Sequence, residues 1–564
     1  MNQSSIRYKW NEISWRKLER NTFKLQKRIY QASQNGDVKL MHSLQRLMLN
    51  SNSAKLLSVR KVTQDNRGKK TAGIDGVSGL NQNQRLRLAE EMNLHGKAKP
   101  VRRIMIPKSS GSEMRPLGIP TIEDRAKQAL VKMAIEPEWE AKFEPNSYGF
   151  RPGRSCHDAR EAIFGALKRK TAYVLDADIS GCFDNIDHKA LLEKLKTIST
   201  IRRNIKGWLE AGVMENNTFY RSDKGTPQGG VISPLLANVA LHGLEYETKK
   251  ALAQDLFQHM KDKHGKASFM LSQPAMSVIR YADDFVIIHE SKDIVTKAKS
   301  FVEKWLSGIG LELKESKTHT SHTLKSIDEQ KPGFDFLGYT VRQFAVNCNK
   351  QGYKLLIKPS RVSQKNHRRV IRDKLRMMRG ENQATIISRL NPIIKGWCRY
   401  YVPAVSRKVF ELESHLTHCK LWKWALWQHP HKGQRWIKAK YFRKCGNDKW
   451  RFMTPKNEIL VRHSDFHIKR HVKVTGTKSP YDGDFIYWAK RLGHSLEIPQ
   501  RVARLLKIQQ GKCNECQFYF KDTDHMEVHH RDQNRHHNNI DNLVLLHNHC
   551  HDHLHKMGSM YAKH

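Results

Sequence analysis

Acidic residues are scarce in this sequence. Its 564 residues include 55 Asp and Glu against 100 Lys and Arg, which gives a formal net charge of +45 at pH 7. A charge of this size in a soluble chain predicts a polyanionic partner, nucleic acid above all, although a merely basic soluble protein is the alternative. A chain of this length also exceeds a single core, so about three to four domains are expected.

Long apolar runs and clustered cysteines are missing as well. No segment approaches the roughly 18 apolar residues that span a bilayer, and the first residues carry Lys and Arg with no apolar signal-peptide core. We therefore expect no membrane association and a cytoplasmic location, with attachment to the nucleoid when the protein is on DNA. The nine cysteines are isolated except for Cys513, Cys516 and Cys550, which favours reduced thiols and a metal site over a disulfide framework.

Two apolar strands that carry carboxylates give the clearest local signal. Residues 278–288 hold two β-branched runs around a Tyr-Ala-Asp-Asp turn, which predicts a hairpin with the acid pair at its tip. Residues 173–179 have the pattern of a second apolar strand, which ends in acid at Asp178. If Asp178 and Asp283 lie side by side on neighbouring strands with Asp284 close by, they form an oxygen cage suited to two Mg²⁺ ions. A solvated turn is the alternative for an isolated acid pair.

Three motifs in fixed order resemble the palm of a group II intron-encoded reverse transcriptase. They are DISGCF at residues 178–183, GTPQGGVISPLLAN at 225–238 and YADD at 281–284. The resemblance implies a right-hand polymerase fold in which Asp178, Asp283 and Asp284 hold the metal ions and dNTPs are the substrates.

The same resemblance assigns roles to residues around the carboxylates. Phe183 matches the aromatic residue that screens the sugar 2′ position. The turn at Gln228 and Gly229 would approach the incoming nucleotide and template, since glycine lets backbone come close to a ligand. By the family pattern Lys317 would protonate the departing pyrophosphate, although a surface lysine in a Glu/Lys-rich segment is usually just solvated.

A basic hairpin is predicted ahead of the palm. Residues 102–120 contain two short strand patterns around a Ser/Gly turn, with Lys108 and Arg115 at or near the arms. Beside the palm motifs this segment is similar to the fingers hairpin that clamps a nucleoside triphosphate, for which arginine and lysine suit the phosphate oxygens. A solvated sheet edge is the alternative.

The composition becomes still more basic after about residue 350. Residues 361–379 hold eight Lys and Arg and one Asp. Six of the basic residues recur at three or four positions and so share a helical face that could follow a phosphate backbone: Arg361, Lys365, Arg368, Arg372, Arg376 and Arg379. A solvated amphipathic helix is the alternative. Residues 391–401 (NPIIKGWCRYY) resemble the thumb-like maturase domain of the same family.

Basic and aromatic residues alternate in the next segment. Residues 420–451 hold ten Lys and Arg and five Trp, at 422, 424, 427, 436 and 450. This mixture suits nucleic acid because cations neutralise phosphates and flat rings stack on bases. We expect more than half of these Trp to lie in a core. The family resemblance places a DNA-binding region here.

The C-terminal residues resemble an HNH endonuclease, on the ordered pattern Cys513-x-x-Cys516, His529-His530, Asn542 and His547-x-x-Cys550-His551-x-x-x-His555. Cys513, Cys516, His547 and Cys550 would form a closed tetrahedron for structural Zn²⁺, which a module this small needs in place of a large core. His529, His551 and His555 would hold a catalytic divalent ion, for which we expect Mg²⁺. His530 would be the general base and Asn542 would orient it. For any single one of the 30 His residues, an ordinary structural role is the alternative.

These observations predict a multidomain α+β protein. Its parts are an N-terminal helical RNA-binding extension (1–70), fingers and palm (71–350), a helical maturase or thumb domain (351–430), a basic DNA-binding region (431–500) and a small zinc-containing ββα-metal HNH domain (501–564). The resemblance implies a protein that binds its group II intron RNA in a ribonucleoprotein, aids splicing, nicks target DNA and copies the intron by target-primed reverse transcription. A splicing-only RNA-binding maturase and a domesticated or defence reverse transcriptase are the alternatives.

Overall fold

The computed structural model describes residues 9–107, 114–216, 218–264, 275–327, 330–347, 350–495, 498–521 and 524–561. The N-terminal part is helical, with α1 (Trp15–Gln34), α2 (Val38–Asn50), α3 (Asn52–Arg60) and α4 (Gln82–Glu90). Side-chain caps begin three of these helices, because Asp37, Ser51 and Asn81 accept hydrogen bonds from the backbones of Leu40, Ala54 and Gln84. No helix within the described ranges is long and apolar enough to cross a membrane.

The basic hairpin predicted at 102–120 is present. Strands β1 (Val101–Pro107) and β2 (Met114–Ile119) pair antiparallel, and Arg115 lies opposite Ile106. Lys108 lies outside the described residues. The hairpin belongs to a four-stranded sheet of order β2-β1-β4-β5 that includes the later strands β4 (Val213–Glu215) and β5 (Thr218–Tyr220).

A second four-stranded sheet carries the predicted palm strands. Its order is β6-β7-β3-β8, with every pairing antiparallel, and its members are β3 (Tyr173–Asp178), β6 (Ser277–Tyr281), β7 (Asp284–His289) and β8 (His319–His322). The helices around it are α5 (Ile122–Lys142), α6 (Cys156–Leu167), α7 (Cys182–Asn185), α8 (His188–Leu195), α9 (Ser199–Leu209), α10 (Ser233–Leu241), α11 (Leu244–Ala251), α12 (Ala253–His264) and α13 (Lys292–Ser307).

This sheet separates two hydrophobic cores. Because side chains alternate between faces along a strand, Leu175 and Ile287 join the core shared with α1–α5 and α8–α13, while Val174 and Ile288 join a second core on the opposite face. The carboxylate-bearing edge is thereby fixed from both sides.

The second core continues into the C-terminal half. It packs β9 (Phe334–Phe336), β10 (Tyr339–Ala345) and β11 (Tyr353–Pro359) against α14 (Arg361–Met377), α15 (Gln383–Tyr401), α16 (Arg407–Gln428), α17 (Gln434–Tyr441), β12 (Phe442–Cys445) and β13 (Asp448–Phe452). Ile437, Phe442 and Phe452 belong to this core together with Ile371 and Leu390. The domain boundary predicted at residues 430–431 therefore falls inside a continuous core.

Residues 470–482, which we call the strap, cross from this core back to the palm helices. Asp158 in the first turn of α6 is fully buried, accepts a hydrogen bond from the backbone of Val474 at 2.9 Å, and contacts His471 at 3.1 Å. Arg491, in α18 (Phe485–Gly493), donates to the same carboxylate at 2.7 Å. Although burial alone would raise the pKa of Asp158, the hydrogen bond from His471 and the charge of Arg491 hold that pKa down at about 2.

We expect Asp158→Asn to lower the free energy of unfolding by about 3 kcal/mol, because it leaves the partly buried Arg491 and His471 without the buried carboxylate that they contact. The folded pKa lies below the unfolded one, so this contribution is fully present above about pH 4 and is lost as the pH falls towards 2. Denaturant melts at pH 7 measure the loss. Asp37→Asn is the matched control, since Asn caps a helix as well as Asp; equal stability of the two variants would contradict the role of Asp158.

The C-terminal module has a core of its own. It contains α19 (Gln500–Ile508), the antiparallel pair β14 (Met526–His530) and β15 (Leu543–His547), and α20 (Asn548–Tyr561). Leu505, Phe520 and Leu545 pack there beside the buried cysteines 513, 516 and 550. The module thus has the strand–strand–helix order β14, β15 and α20, and its assignment as an HNH domain stays a prediction.

Candidate metal centres

Three carboxylates lie near one another where β3 ends and β7 begins, at the edge of the palm sheet. Asp178 is the last residue of β3 and lies directly opposite Asp284, the first residue of β7. Asp283 occupies the turn beside Ala282, whose φ is +58°. The structure therefore brings the three predicted residues together but corrects their register, because Asp284, and not Asp283, is the strand partner of Asp178.

The carboxylates at this edge repel one another, which favours the binding of a cation. Burial, together with the charges of Asp283 and Asp178, raises the pKa of Asp284 to about 7. Burial and Asp284 also raise the pKa of Asp176 to about 7. Asp176 was not predicted, although its position two residues before Asp178 places it on the same face of β3. Crowded carboxylate oxygens are the donors that Mg²⁺ prefers, so the residues fit the group that the sequence implies.

Buried polar contacts hold the turn in place. Arg280 in β6 is buried and donates to the carbonyl oxygen of Ala282 at 3.1 Å, to the side chain of Asn238 at 3.0 Å and to that of Ser147 at 2.7 Å. A Cβ on Gly149 would lie 2.2 Å from the backbone nitrogen of Ala282, so only glycine fits there. Arg280 was missed because its partners lie far away in the sequence.

Lys317 contacts the carboxylate cluster directly. Its Nζ lies 2.5 Å from Oδ2 of Asp178, and its side chain is 57% exposed. It is therefore more than a solvated surface lysine, and the ammonium stands where it could reach a group bound at the metal site. Arg115 is exposed on β2, and its charge acts to lower the pKa of Asp283 against the raising effect of burial.

The turn at Gln228 packs on the fingers strand β2. The backbone of Gly118 donates to the carbonyl oxygen of Gln228 at 2.7 Å. Gly229 has a φ of +122°, and a Cβ there would lie 2.6 Å from the carbonyl oxygen of Gly118. The protein's own backbone thus requires glycine at 229, and the approach of this turn to nucleotide and template stays a prediction. Phe183 contacts Phe150 edge to face, with ring centroids 5.9 Å apart.

The basic helix face predicted at 361–379 is only partly free. Lys365, Arg372 and Arg376 are exposed on α14, and Arg361 is exposed at its start, although Arg372 also pairs with the neighbouring Asp373 at 3.0 Å. Arg368 instead forms an ion pair at 2.6 Å with Glu413 of α16, which is buried. Arg379 lies beyond the helix end, with its guanidinium 4.8 Å from the ring centre of Trp427. The free cations of the face are therefore fewer than the sequence predicts.

We expect the triple variant Lys365→Gln, Arg372→Gln, Arg376→Gln to bind primer–template with a shallower dependence of log K on log salt, by about 2 to 3 units. Each lost phosphate contact removes about 0.9 units for a duplex, and sequence preference should not change. Titrations over a salt series measure the slope. Arg368→Gln is the control, since losing its pair with buried Glu413 should lower stability and leave the slope unchanged. Equal slopes for the triple variant and wild type would mean an ordinary solvated face.

The five tryptophans are more exposed than expected. Of these, Trp424 is buried, whereas Trp427, Trp436 and Trp450 are exposed by 52%, 39% and 38%. Lysines cover two of the exposed rings: Lys440 lies 4.8 Å from the ring centre of Trp436, and Lys438 lies 4.3 Å from that of Trp450. The prediction that more than half of these rings lie in a core is wrong, because three of the five are exposed. Two of the exposed rings are covered by lysines at the surface.

Four buried side chains of the C-terminal module form a compact ligand set. One donor atom each from Cys513, Cys516, His547 and Cys550 lies within 4.8 Å of the others. Nδ1 of His547 faces the Cys516 sulfur at 3.3 Å, and its Nε2 lies 3.3 Å from Asp524. Three sulfurs and one imidazole fit tetrahedral Zn²⁺, and a carboxylate behind the histidine is the usual outer partner of such a ligand.

A second group in this module consists of imidazoles. His529 of β14 and His551 and His555 of α20 offer one nitrogen each within 4.8 Å. Burial and the charges of His551 and His555 lower the pKa of His529, which favours the neutral ring that a metal requires. His530 follows His529 on β14, and its Nε2 lies 3.4 Å from the side-chain oxygen of Asn538.

Asn542 does not contact His530. Its side chain donates to Asp532 at 2.7 Å and to the carbonyl oxygen of His537 at 2.9 Å, while Nδ1 of His537 lies 2.6 Å from Asp532. The prediction that Asn542 orients His530 is therefore corrected: Asn542 braces the loop between β14 and β15. Asp532 was not singled out from the sequence, because nothing in its spacing distinguishes it from neighbouring polar residues.

Comparison with known families agrees with the palm geometry. Residues 106–341 match the family described as reverse transcriptase (RNA-dependent DNA polymerase), residues 10–92 match the N-terminal domain of reverse transcriptase, and residues 364–442 match the group II intron, maturase-specific domain. The last of these matches ends at residue 442.

Individual relatives point the same way. Protein YkfC of Escherichia coli (strain K12) is 33% identical over 309 residues, which are 50% of this chain and 79% of that protein. The group II intron-encoded protein LtrA of Lactococcus lactis subsp. cremoris is 32% identical over 333 residues, which are 49% of this chain and 53% of LtrA, so the chain spans about half of that relative. A structure of apo telomerase from Candida Tropicalis aligns with 15% identity and a TM-score of 0.31 over 45% of this chain and 55% of that one, too low to bear on the fold. On its matched domains and its relatives, the chain belongs to the group II intron reverse transcriptase/maturase family.

Proposed function

We propose that this protein is an RNA-directed DNA polymerase whose active centre is the edge formed by Asp178, Asp283 and Asp284. The observation that carries the proposal is the direct cross-strand pairing of Asp178 with Asp284. Beside this pair, Arg280 donates a hydrogen bond to the carbonyl oxygen of Ala282 in the turn. Bound Mg²⁺ would supply activation of the primer 3′-hydroxyl and neutralisation of the leaving pyrophosphate. Lys317, 2.5 Å from Asp178, would donate a proton to that pyrophosphate.

Nucleotide and template would be positioned by the fingers and the turn that packs on them. Arg115 on β2, and Lys108 beyond the described residues, would bind the triphosphate, and Phe183 would contact the sugar. The turn at Gln228 ties the fingers strand to the palm through Gly118. Arg361, Lys365, Arg372 and Arg376 would follow the phosphates of the primer–template duplex.

We propose the HNH-type nicking of DNA as a second activity of the C-terminal module. The observation that favours it is the convergence of His529, His551 and His555 next to His530. A divalent ion would supply Lewis-acid activation of the phosphate, and His530 would take the proton from the attacking water. Three imidazole nitrogens fit a transition-metal ion such as Zn²⁺ better than the Mg²⁺ expected from the sequence. The Cys₃His set would hold structural Zn²⁺.

Together these activities suit a group II intron-encoded protein that binds its intron RNA, assists splicing, and copies the intron from a nicked DNA primer. The maturase-specific match and the net charge of +45 support intron RNA and target DNA as partners. A splicing-only maturase would bind the RNA without either activity, and a domesticated or defence enzyme would synthesise cDNA without assisting the splicing of any intron.

The test uses the purified full-length chain with a primed RNA template, dNTPs and Mg²⁺, and in parallel a supercoiled DNA target. We expect cDNA from the first substrate and nicks in the second. His530→Ala should lower nicking by about 10² to 10⁴-fold, the usual contribution of a general base, and leave cDNA synthesis unchanged. His536→Ala, an exposed histidine of the following loop, is the matched control. Nicking by His530→Ala at the wild-type rate would contradict the nuclease assignment.

A further inference from the structure

A cavity of about 690 Å³ lies between the polymerase half and the zinc module. Its walls come from α1, from the end of α3 and the residues that follow it, from α5, from the loop at 150–152, from residues 480–481, and from residues 518–521 and 524–525. Phe150 in its wall contacts Phe183, so the cavity begins next to the polymerase centre. A space of this size is typical of a site for a small ligand and accommodates one or two nucleotides.

Aromatic rings line the cavity from several elements. They are Phe23, Phe150, Phe518 and Tyr519, together with Tyr481 of the strap. Phe150 is 48% exposed and adopts a φ of +59°, a conformation that costs energy for a bulky side chain. Strained, exposed aromatic residues at a cleft are characteristic of ligand contacts, and flat rings offer surfaces on which bases of any sequence stack.

The acidic groups of the cavity are already paired within the protein. Glu19 and Asp65 bind Arg60 at 2.6 and 3.3 Å, Glu136 lies 3.3 Å from Lys132, and Asp524 lies 3.3 Å from His547. These pairs partly offset the negative charge of the lining, because Arg60 serves both Glu19 and Asp65 and Lys132 serves Glu136.

Two lysines of the cavity, unlike its acids, form no ion pair among the described residues. Within the described ranges, no carboxylate forms an ion pair with Lys61 or Lys521, and Lys521 lies 5.3 Å from the ring centre of Phe23. Lys61 is exposed to solvent at the cavity, and the surrounding protein together with the charge of Lys132 lowers its pKa, an effect that a bound anion would oppose. Two buried polar atoms of the lining, Nη1 of Arg60 and Oγ1 of Thr22, also lack a hydrogen-bond partner among the described residues.

The two walls are held together by direct contacts. The Phe485 ring lies between Phe23 and Tyr519, with centroid distances of 5.0 and 5.3 Å, and it stacks parallel to Tyr519. His549 of α20 lies 4.0 Å from Glu19 of α1. The cavity is therefore a formed site between two docked surfaces.

We propose that this cavity binds one or two nucleotides of an unpaired nucleic-acid strand, with bases against the aromatic rings and phosphates at Lys61 and Lys521. The inference depends on the proposed polymerase and nuclease activities in one respect, because a nucleic-acid strand must reach the cavity. Two strands have the required chemistry: the template ahead of the polymerase centre and a single strand displaced near the nuclease.

The test is binding without dNTPs, so it does not depend on catalysis. Full-length protein is titrated with a blunt RNA–DNA primer–template, with the same duplex carrying an unpaired template overhang, and with a DNA duplex carrying a single-stranded flap. We expect Lys61→Gln/Lys521→Gln to bind the overhang or the flap about tenfold more weakly at 0.15 M salt, since each lost contact lowers the salt slope by about 0.7 for a single strand. The blunt duplex should bind unchanged. Lys250→Gln/Lys261→Gln, exposed on α11 and α12 outside the cavity, is the matched control.

A photo-crosslinking nucleoside such as 4-thiouridine in the unpaired segment gives an independent readout. We expect crosslinks to peptides within 57–66 and 518–525, lost from the Lys61/Lys521 variant and retained by a variant of Asp283. Crosslinks from the overhang identify the template as the source, and crosslinks from the flap identify the displaced strand. Equal affinity of wild type and variant for every unpaired strand, or crosslinks confined to other peptides, would overturn the proposal. If wild type crosslinks but makes no cDNA, the polymerase assignment fails while the cavity site stands.

Discussion

The variant Asp283→Asn is expected to lose cDNA synthesis by about a thousandfold or more, because a metal-bound carboxylate contributes several kcal/mol to stabilising the transition state. Asn keeps the size of the side chain, so the turn that Arg280 holds should be preserved. Primer extension on an RNA template measures the loss, and binding of primer–template and intron RNA should stay at the wild-type level. Asp293→Asn, an exposed carboxylate at the start of α13, is the matched control and should extend primers normally.

The same variant has a second, opposite effect on stability. Burial, followed by the charges of Asp283 and Asp178, raises the pKa of Asp284 to about 7, above its unfolded value. A raised acid pKa stabilises the fold at low pH, and this stabilisation is lost as the pH rises through about 7. Removing the Asp283 charge relieves Asp284, so Asp283→Asn without Mg²⁺ should be at least as stable as wild type at pH 8. Mg²⁺ should raise the melting temperature of wild type more than that of the variant.

These two results separate catalysis from folding. Normal cDNA synthesis by Asp283→Asn would contradict the palm assignment. A lower melting temperature without Mg²⁺ would mean that Asp283 supports the turn through hydrogen bonds, and the loss of activity could then come from a displaced turn.

The palm could be predicted from sequence because its signals are local. Alternating apolar residues fix β3, β6 and β7, and the register of the hairpin brings Asp284 opposite Asp178. Which of the two adjacent acids faces Asp178 depends on the residue at which the turn begins, and the sequence does not determine that. The Cys/His cluster of the C-terminal module is likewise visible as spacing, because Cys513 and Cys516 follow one another closely, and His547 at the end of β15 is followed by Cys550 in the first turn of α20.

Contacts between distant residues could not be predicted in the same way. Arg368 fits the periodicity of a basic face, yet Glu413 on a neighbouring helix takes up its charge. Asn542 has the expected position in the motif, but the loop it braces is closed by Asp532. In each case the partner follows from the packing of elements, which residue periodicity along one segment does not contain.

A Zn²⁺ ion bound by the Cys/His cluster is expected to hold the C-terminal module folded. We expect Cys513→Ser to lower bound zinc from one ion per chain to nearly none, because a hydroxyl replaces a thiolate in a buried ligand set. Zinc binding in small modules contributes about 10 to 16 kcal/mol of folding free energy at pH 7, more than the core around Leu505 and Leu545 is expected to supply alone. The module should therefore unfold, which metal analysis and limited proteolysis after residue 495 would detect.

The consequences for activity follow from the separation of the cores. The carboxylates of the palm are fixed by two cores that do not include the zinc module, so Cys513→Ser should still extend a primer on an RNA template. Nicking of DNA should disappear, since His529 and His551 lie on elements that the metal holds together. Cys419→Ser, a free cysteine of α16 outside the ligand set, is the matched control and should keep both zinc and nicking. Unchanged zinc content in Cys513→Ser would contradict the Cys₃His site, whereas loss of zinc with nicking retained would show that the imidazole group keeps its geometry without the metal.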